Sequence, residues 1–325
     1  MSQPNRKSRR ARHLLLAAFS LAAALPATGH TQSATSHRAE GPLVLRLPVS
    51  ARMLGMAAPG ITSNDADVLL VNPGMLSQAR GLSSSLQRYG RFATAGSLAT
   101  VTTAGVMTVG VGVQFLDWRA PGGSYAAAVR EGASTLSDGG NSGLPVDASS
   151  SAFTLGVART VKGWRVGGSV KYAEERFGLD HDGTVAMDVG MMKPMGPGSL
   201  GVVVQNLGAG PRLGGVRGAL PTRVGVGFGG GPMTISEHFD LGAQMALTVE
   251  RDGFVRPAGG VELAYVPIEG VQLLVRNGLR LPRERDEPLV TAGLGLTVDR
   301  FSFDYAMEPM RGGRPVSHRV GMRIK

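Results

Sequence analysis

The chain has 325 residues, of which 48 are glycine and none is cysteine, and 34 Lys+Arg stand against 24 Asp+Glu for a formal charge of +10. The lack of cysteine excludes a disulfide framework, thiolate catalysis, Cys-ligated metals and a lipidated N-terminal cysteine. Glycine is at about twice its usual share of roughly 7% but has no Gly-X-Y period, which excludes collagen; with 19 prolines the Pro+Gly fraction stays below that of low-complexity chains.

The first element is an export signal. Arg6, Lys7, Arg9, Arg10 and Arg12 form a basic stretch, Leu14 to Leu25 is an apolar run, and small residues follow at Ala27, Thr28 and Gly29. That is the layout of a cleaved secretory signal, placed at residues 1–29. The run is too short for a membrane-spanning helix, which needs about 20 residues. Without its five bases the chain carries 29 Lys+Arg against 24 Asp+Glu, or about +5. Those bases are scattered, with no basic stripe, so nucleic acid is not expected as a partner.

Residues 30–80 are read as a hatch or plug. Ser50 to Ala79 (SARMLGMAAPGITSNDADVLLVNPGMLSQA) does not alternate like a strand and is punctuated by Gly55, Pro59, Gly60 and Asn72-Pro73-Gly74. Asn64, Asp65 and Asp67 could hold a cation through oxygen ligands, but capping or bonding the local turn explains them better. Asn72-Pro73 fits a fixed turn.

Residues 81–325 alternate with period two. Phe239, Leu241, Ala243, Met245, Leu247 and Val249 share one face, and Asp240, Gly242, Gln244, Ala246, Thr248 and Glu250 the other, as side chains of a strand do. Fourteen such segments follow residue 80, near 82–90, 94–103, 105–117, 150–161, 164–176, 182–192, 198–206, 221–230, 238–250, 255–266, 270–281, 287–298, 300–308 and 314–325. Most approach the 9–11 residues of a tilted membrane strand. Connections alternate short and long, as in outer-membrane barrels; the Gly230–Glu237 connection is too long for its place. A soluble β-sandwich would also alternate, but polar-face glycines such as Gly110, Gly112, Gly225, Gly227, Gly293, Gly295 and Gly321 suit a lumen wall that must leave room for a plug. The predicted fold is all-β, a transmembrane antiparallel barrel of about 14 strands with an N-terminal hatch. Its aromatic girdle is thin, with Tyr89, Trp118, Trp164, Tyr172, Tyr265 and Tyr305. The lumen-facing polar set includes Arg223, Asp240, Glu262, Arg276, Asp304 and Arg319, together with Lys171 and Asp188. Ion pairing among these groups is favoured over a ligand role for any one.

The hatch string also resembles that of FadL-like barrels, in particular the PorV/PorQ branch. The matching residues are Ala51, Arg52, Leu54, Gly55 and Met56, then Asp65, Ala66 and Asp67, then Asn72, Pro73, Gly74, Leu76 and Ser77. Asn206-Leu207-Gly208, Leu220 to Gly225, the hairpin around Gly293 to Tyr305, and His318-Arg319 are similar to downstream family motifs. Ala57 stands where the family has glycine, Met75 shifts the Asn-Pro spacing, and the sequence ends on Lys325 where such barrels commonly end on Phe, the signal read by the insertion machinery. The resemblance implies fourteen strands, the outer membrane of a Gram-negative-type bacterium, outer-membrane lipid and the barrel-insertion machinery as partners, and passage of a hydrophobic small molecule through the hatch. A PorV-like role in protein secretion, binding secreted proteins at the cell surface, is the alternative. Arg52, Gly55, Met56, Asp65, Asp67, Asn72 and Pro73 are the hatch residues it points to.

No enzyme is expected, and no cofactor or metal. The histidines are scattered without a His-Glu-x-x-His pattern, and no Gly-x-Ser-x-Gly elbow or P-loop is present. Gly225 to Gly230 matches Gly-x-Gly-x-x-Gly but lies in a strand with no helix after it. Asp180-His181-Asp182 is read as a hairpin tip.

Overall fold

The structure, a computed structural model, describes residues 41–57, 60–90, 93–120, 146–284, 287–310 and 315–325. The proposed signal and residues 30–40 of the proposed hatch lie outside them. Among the described residues sixteen strands follow the hatch in chain order: β1 (Gly81–Tyr89), β2 (Ala93–Ala104), β3 (Met107–Ala120), β4 (Val146–Val161), β5 (Trp164–Phe177), β6 (Asp180–Met195), β7 (Gly198–Gly208), β8 (Arg212–Leu213), β9 (Val216–Arg217), β10 (Arg223–Ser236), β11 (Phe239–Glu250), β12 (Val255–Ile268), β13 (Val271–Arg280), β14 (Val290–Val298), β15 (Phe301–Glu308) and β16 (Ser317–Ile324). Fourteen of them close an antiparallel barrel, with β1 paired to β16 and β7 to β10; β8 and β9 form a separate small hairpin. That hairpin lies between the predicted segments 198–206 and 221–230, where no strand was expected.

The period-two pattern becomes a two-faced wall. Val111, Val113 and Phe115 of β3, Phe153 and Leu155 of β4, and Leu273 and Val275 of β13 point outward and are exposed, which makes physical sense only against lipid. The intervening residues face inward. A closed barrel satisfies its backbone groups between strands, so it crosses a bilayer with no edge.

All six connections at one end have two residues: 105–106, 162–163, 196–197, 237–238, 269–270 and 299–300. In membrane barrels this is the periplasmic end. The Gly230–Glu237 exception disappears, because β10 continues to Ser236 through register shifts after Gly230 and Thr234. Gly230, Gly231 and Pro232 interrupt the alternation there, and the irregular ladder absorbs the break. At the other end the long connections are mixed with short ones, at 90–92, 178–179 and 251–254.

The wall is uneven in height. Strands β4 and β6 have 16 residues each, β15 and β16 only 8. Above Phe115, Phe153 and Tyr172 the outward face turns polar, with exposed Asp117, Arg119, Asp147 and Arg176, so β3–β6 rise past the apolar band. Tyr89 and Trp118, expected in the girdle, are instead buried on the inner face with Leu43, Val44 and Leu45. Their inward register places them there. Glycines on the lipid face lie under aromatic rings of the neighbouring strand: Gly96 under Phe115, Gly183 under Tyr172 and Gly198 under Phe228. A ring covering a glycine restores the packing that the missing side chain forfeits.

Candidate functional site

The hatch fills the lumen. It consists of a 3-10 turn at Leu43–Arg46, helix α1 (Ala51–Gly55), and 3-10 turns at Ala66–Leu70 and Pro73–Gln78. Ser50 caps α1, its hydroxyl accepting from Met53 N. Asn72 caps the last turn by accepting from Gly74 N, and its Nδ2 donates to Ile61 O at 2.8 Å, joining the two halves of the hatch. Asp65 stands at the N-cap of the middle turn but makes no capping bond; its carboxylate is engaged elsewhere.

Glycines of the wall form a socket for the hatch. Met56 presses its backbone on Gly260 and Gly278, Asn72 its side chain on Gly190, Pro73 its carbonyl on Gly167, and Ile61 its side chain on Gly225 and Gly227. Gly55 meets Gly293 backbone to backbone, where an added Cβ would lie 3.1 Å from Gly293 Cα. At most of these positions a methyl group would overlap hatch atoms. The expected clearance is thus a fitted contact surface rather than an open passage.

A ring of alternating charges locks the hatch to the wall. Arg52 of α1 donates to Asp65 Oδ2 at 2.8 Å and, through Nε and Nη2, to both oxygens of Glu262 on β12. Arg276 on β13 bridges Glu262 at 2.5 Å and Asp304 on β15 at 2.6 Å. Arg323 on β16 pairs with Asp304 at 2.7 Å and returns to Asp65 Oδ1 at 2.8 Å, which closes the circuit. Lys325 adds a second cation to Asp65 Oδ1 at 2.9 Å. Gly295 on β14 lets the Arg276 side chain lie across that strand: a Cβ there would sit 2.8 Å from Arg276 Nη1. Breaking such a buried pair from one side costs about 3–5 kcal/mol, whereas its net worth against an apolar replacement is small. The ring therefore specifies where the hatch sits more than it adds stability.

Five of the residues singled out from sequence meet in this ring: Arg52, Asp65, Glu262, Arg276 and Asp304. Arg319 lies apart, donating to Pro48 O at 2.5 Å and Gln87 Oε1 at 2.7 Å. Lys171 pairs with Asp188 at 2.6 Å and reaches Leu70 O of the hatch at 3.3 Å. Arg223 donates to Gln205. Asp240 sits beside the 237–238 turn, partly exposed and outside the network. Asp67 is buried, accepting from Ser83 at 3.3 Å, while its Oδ1 has no hydrogen-bond partner. Burial, with the neighbouring Asp65 carboxylate adding to it, pushes the Asp67 carboxyl up to about 6. Burial opposes the charge of Asp65 too, but Arg323, Arg52 and Lys325 prevail and hold it well below the usual carboxylate range. Among the described residues no group of three or more His, Cys, Asp or Glu could hold a metal ion; Asp65 is bound by Arg52, Arg323 and Lys325, and Asp67 by Ser83.

Where the hatch withdraws from the wall, two adjoining cavities remain along the outer ends of β10–β13. They measure about 110 and 80 Å³ and share Arg46, Leu47, Pro48, Arg223, Glu250, Arg256 and Arg280 in their lining. Tyr89, Pro221 and Met310 line the first alone; Met53, Leu54, Ala57 and Val71 of the hatch line the second. Three carboxylates of the upper cavity are paired: Glu250 with Arg283, Glu287 with Arg256, and Glu308 with Arg280. The cavity was not legible in the sequence, because its lining joins hatch residues, which carry no period-two signal, to strand ends where that signal fades.

No protein-family model matches the sequence, and no curated protein does. Solved structures do. The toluene transporter TodX of Pseudomonas putida superposes with a TM-score of 0.54 at 11% identity, covering 88% of this chain and 98% of that one. The toluene transporter TbuX of Ralstonia pickettii gives 0.54 at 13% identity, covering 85% and 98%. A FadL homologue of Pseudomonas aeruginosa gives 0.53 at 10% identity, covering 85% and 97%. The fold is that of the FadL-like barrels: fourteen strands around an N-terminal hatch.

Proposed function

We propose that the chain is an outer-membrane barrel that passes hydrophobic small molecules through a hatch-gated lumen. The carrying observation is a hatch held by a socket and a charge ring, with a cavity leading down to it from the outer end. The two toluene transporters among its structural neighbours support a small apolar cargo. In this reading the cargo enters the outer cavity, rests against Met53, Leu54 and Val71, and leaves when the hatch shifts in its socket.

The chain lacks cysteine, which permits a direct test. An added Cβ at Gly321 would lie 3.3 Å from Ala51 Cβ, near the range a disulfide requires. The Ala51→Cys/Gly321→Cys pair should therefore tie α1 to β16. In proteoliposomes, toluene uptake is expected to fall at least tenfold when the pair is oxidised and to recover on reduction. Unchanged uptake by the oxidised form would remove hatch movement from the mechanism.

A second reading is a PorV-like secretion component. It is supported by the hatch string and by the polar outer face of β3–β6, which stands clear of the apolar band. Deleting residues 121–145 separates the two: secreted-protein binding should be lost in the second reading, and toluene uptake spared in the first.

A further inference from the structure

The outer cavity carries more positive charge than its own acids neutralise. Five arginines line it against three glutamates, and each glutamate is already committed to one arginine. Arg46 and Arg223 remain. Arg46 has no ion pair among the described residues, and Arg223 makes one hydrogen bond, to the neutral side chain of Gln205. Arg223 also senses Asp188 electrostatically, but that carboxylate is bound to Lys171 at 2.6 Å. The paired arginines hold spare donors as well: Arg256 Nε and Arg280 Nε are buried without an acceptor. Both residues line both cavities.

Unpaired guanidinium groups and orphaned N–H donors around one cavity call for an acceptor-rich anion. The same cavity is lined by apolar groups, Leu43, Leu47, Tyr89, Pro221 and Met310. The space is small: an engineered apolar cavity of about 150 Å³ holds benzene, and these two measure about 110 and 80 Å³.

We propose that the outer cavity binds a compact organic anion, a carboxylate on a ring-sized apolar body, with Arg46 and Arg223 receiving the carboxylate. The assignment rests on the transport reading for its purpose but not for its test. The hydrocarbons carried by the neighbouring structures have no such group, so this site would give the present barrel a charged cargo. The apolar wall holds the ring and selects against small inorganic ions.

The test is equilibrium binding to the purified full chain in detergent, with barrel integrity checked by heat-modifiable gel migration. Benzoate is expected to bind at one site, with benzamide, inorganic phosphate and hexadecanoate each at least tenfold weaker. Arg46→Gln and Arg223→Gln should each weaken benzoate at least fivefold, and the pair at least twentyfold. Arg46 makes no ion pair among the described residues, so its variant keeps the fold and remains informative if Arg223→Gln does not. Benzamide or phosphate binding as tightly as benzoate overturns the proposal, as does tighter binding of hexadecanoate or unchanged affinity in Arg46→Gln. Toluene uptake in proteoliposomes is measured in parallel. Uptake without benzoate binding defeats the anion site alone, and benzoate binding without uptake of either compound defeats the transport reading alone.

Discussion

Asp67 is a hatch carboxylate whose environment disfavours its charge. Its Oδ1 has no hydrogen-bond partner, and burial and the Asp65 charge outweigh the opposing help of Ser50, Arg323 and Arg52. The folded carboxyl titrates near 6, above the roughly 3.9 of an unfolded aspartate. Between those values the native hatch binds more protons than the unfolded chain, so its stability falls as pH rises. The contribution is complete below about pH 4 and is lost as pH passes through 6. Asp65 runs the other way: its carboxyl is depressed, so its contribution is present above the unfolded value and lost at lower pH. Asp67→Asn is therefore expected to slow proteolysis of the hatch severalfold at pH 7.5 and to leave it nearly unchanged at pH 4.5. Equal cleavage rates in the variant and the parent at pH 7.5 would show that Asp67 carries no penalty. The resemblance of the 65–67 string pointed to these residues, but their opposite behaviour depends on Arg323 and Lys325, more than 250 positions away in sequence. Arg323 could have been suspected, since it shares the inward face of β16 with Arg319 and Gly321.

At the level of elements, period two made the strands legible because one wall meets lipid and the other a hatch. The fourteen barrel strands lie close to their predicted positions. The departures have local causes. The end of β10 carries Gly230, Gly231 and Pro232, which hide the pattern, and the upper parts of β3 and β4 are polar outside because they leave the apolar band. Glycine proved to do two jobs that composition cannot separate, a socket inside and a bed for aromatic rings outside. They are separable by substitution. Gly190→Ala drives a methyl into Asn72 Oδ1 and should cost about 1–3 kcal/mol by overpacking, loosening the hatch while the barrel stays intact. Gly168 of β5 has only one atom within 4 Å of an added Cβ, at 3.6 Å, so Gly168→Ala should be neutral within about 0.5 kcal/mol. Urea titrations followed by hatch proteolysis and by gel migration measure the two parts separately. Equal effects of both substitutions would remove the socket.

For the whole molecule, the hatch and the seam of the barrel are mechanically one object. The seam is the β1–β16 ladder, which runs from Leu82 opposite Ile324 to Arg88 opposite His318. Both arginines that reach from β16 into the lumen grip hatch groups: Arg319 holds Pro48 O, and Arg323 holds Asp65. β16 follows the rest of the wall in chain order, so Arg319 and Arg323 complete a fastening that Glu262 and the glycine socket begin. This predicts an order of assembly. Protease protection of the hatch should develop together with the boiled-versus-unboiled gel shift, within the same kinetic phase, when the chain folds into lipid. Protection that precedes the shift would place the hatch before closure and contradict the order. In Arg323→Gln the shift should persist while protection weakens severalfold. A chain stalled before its final strand would then expose a loose plug to periplasmic proteases, and the clasp would act as a built-in inspection of completeness: only a finished barrel keeps its own stopper.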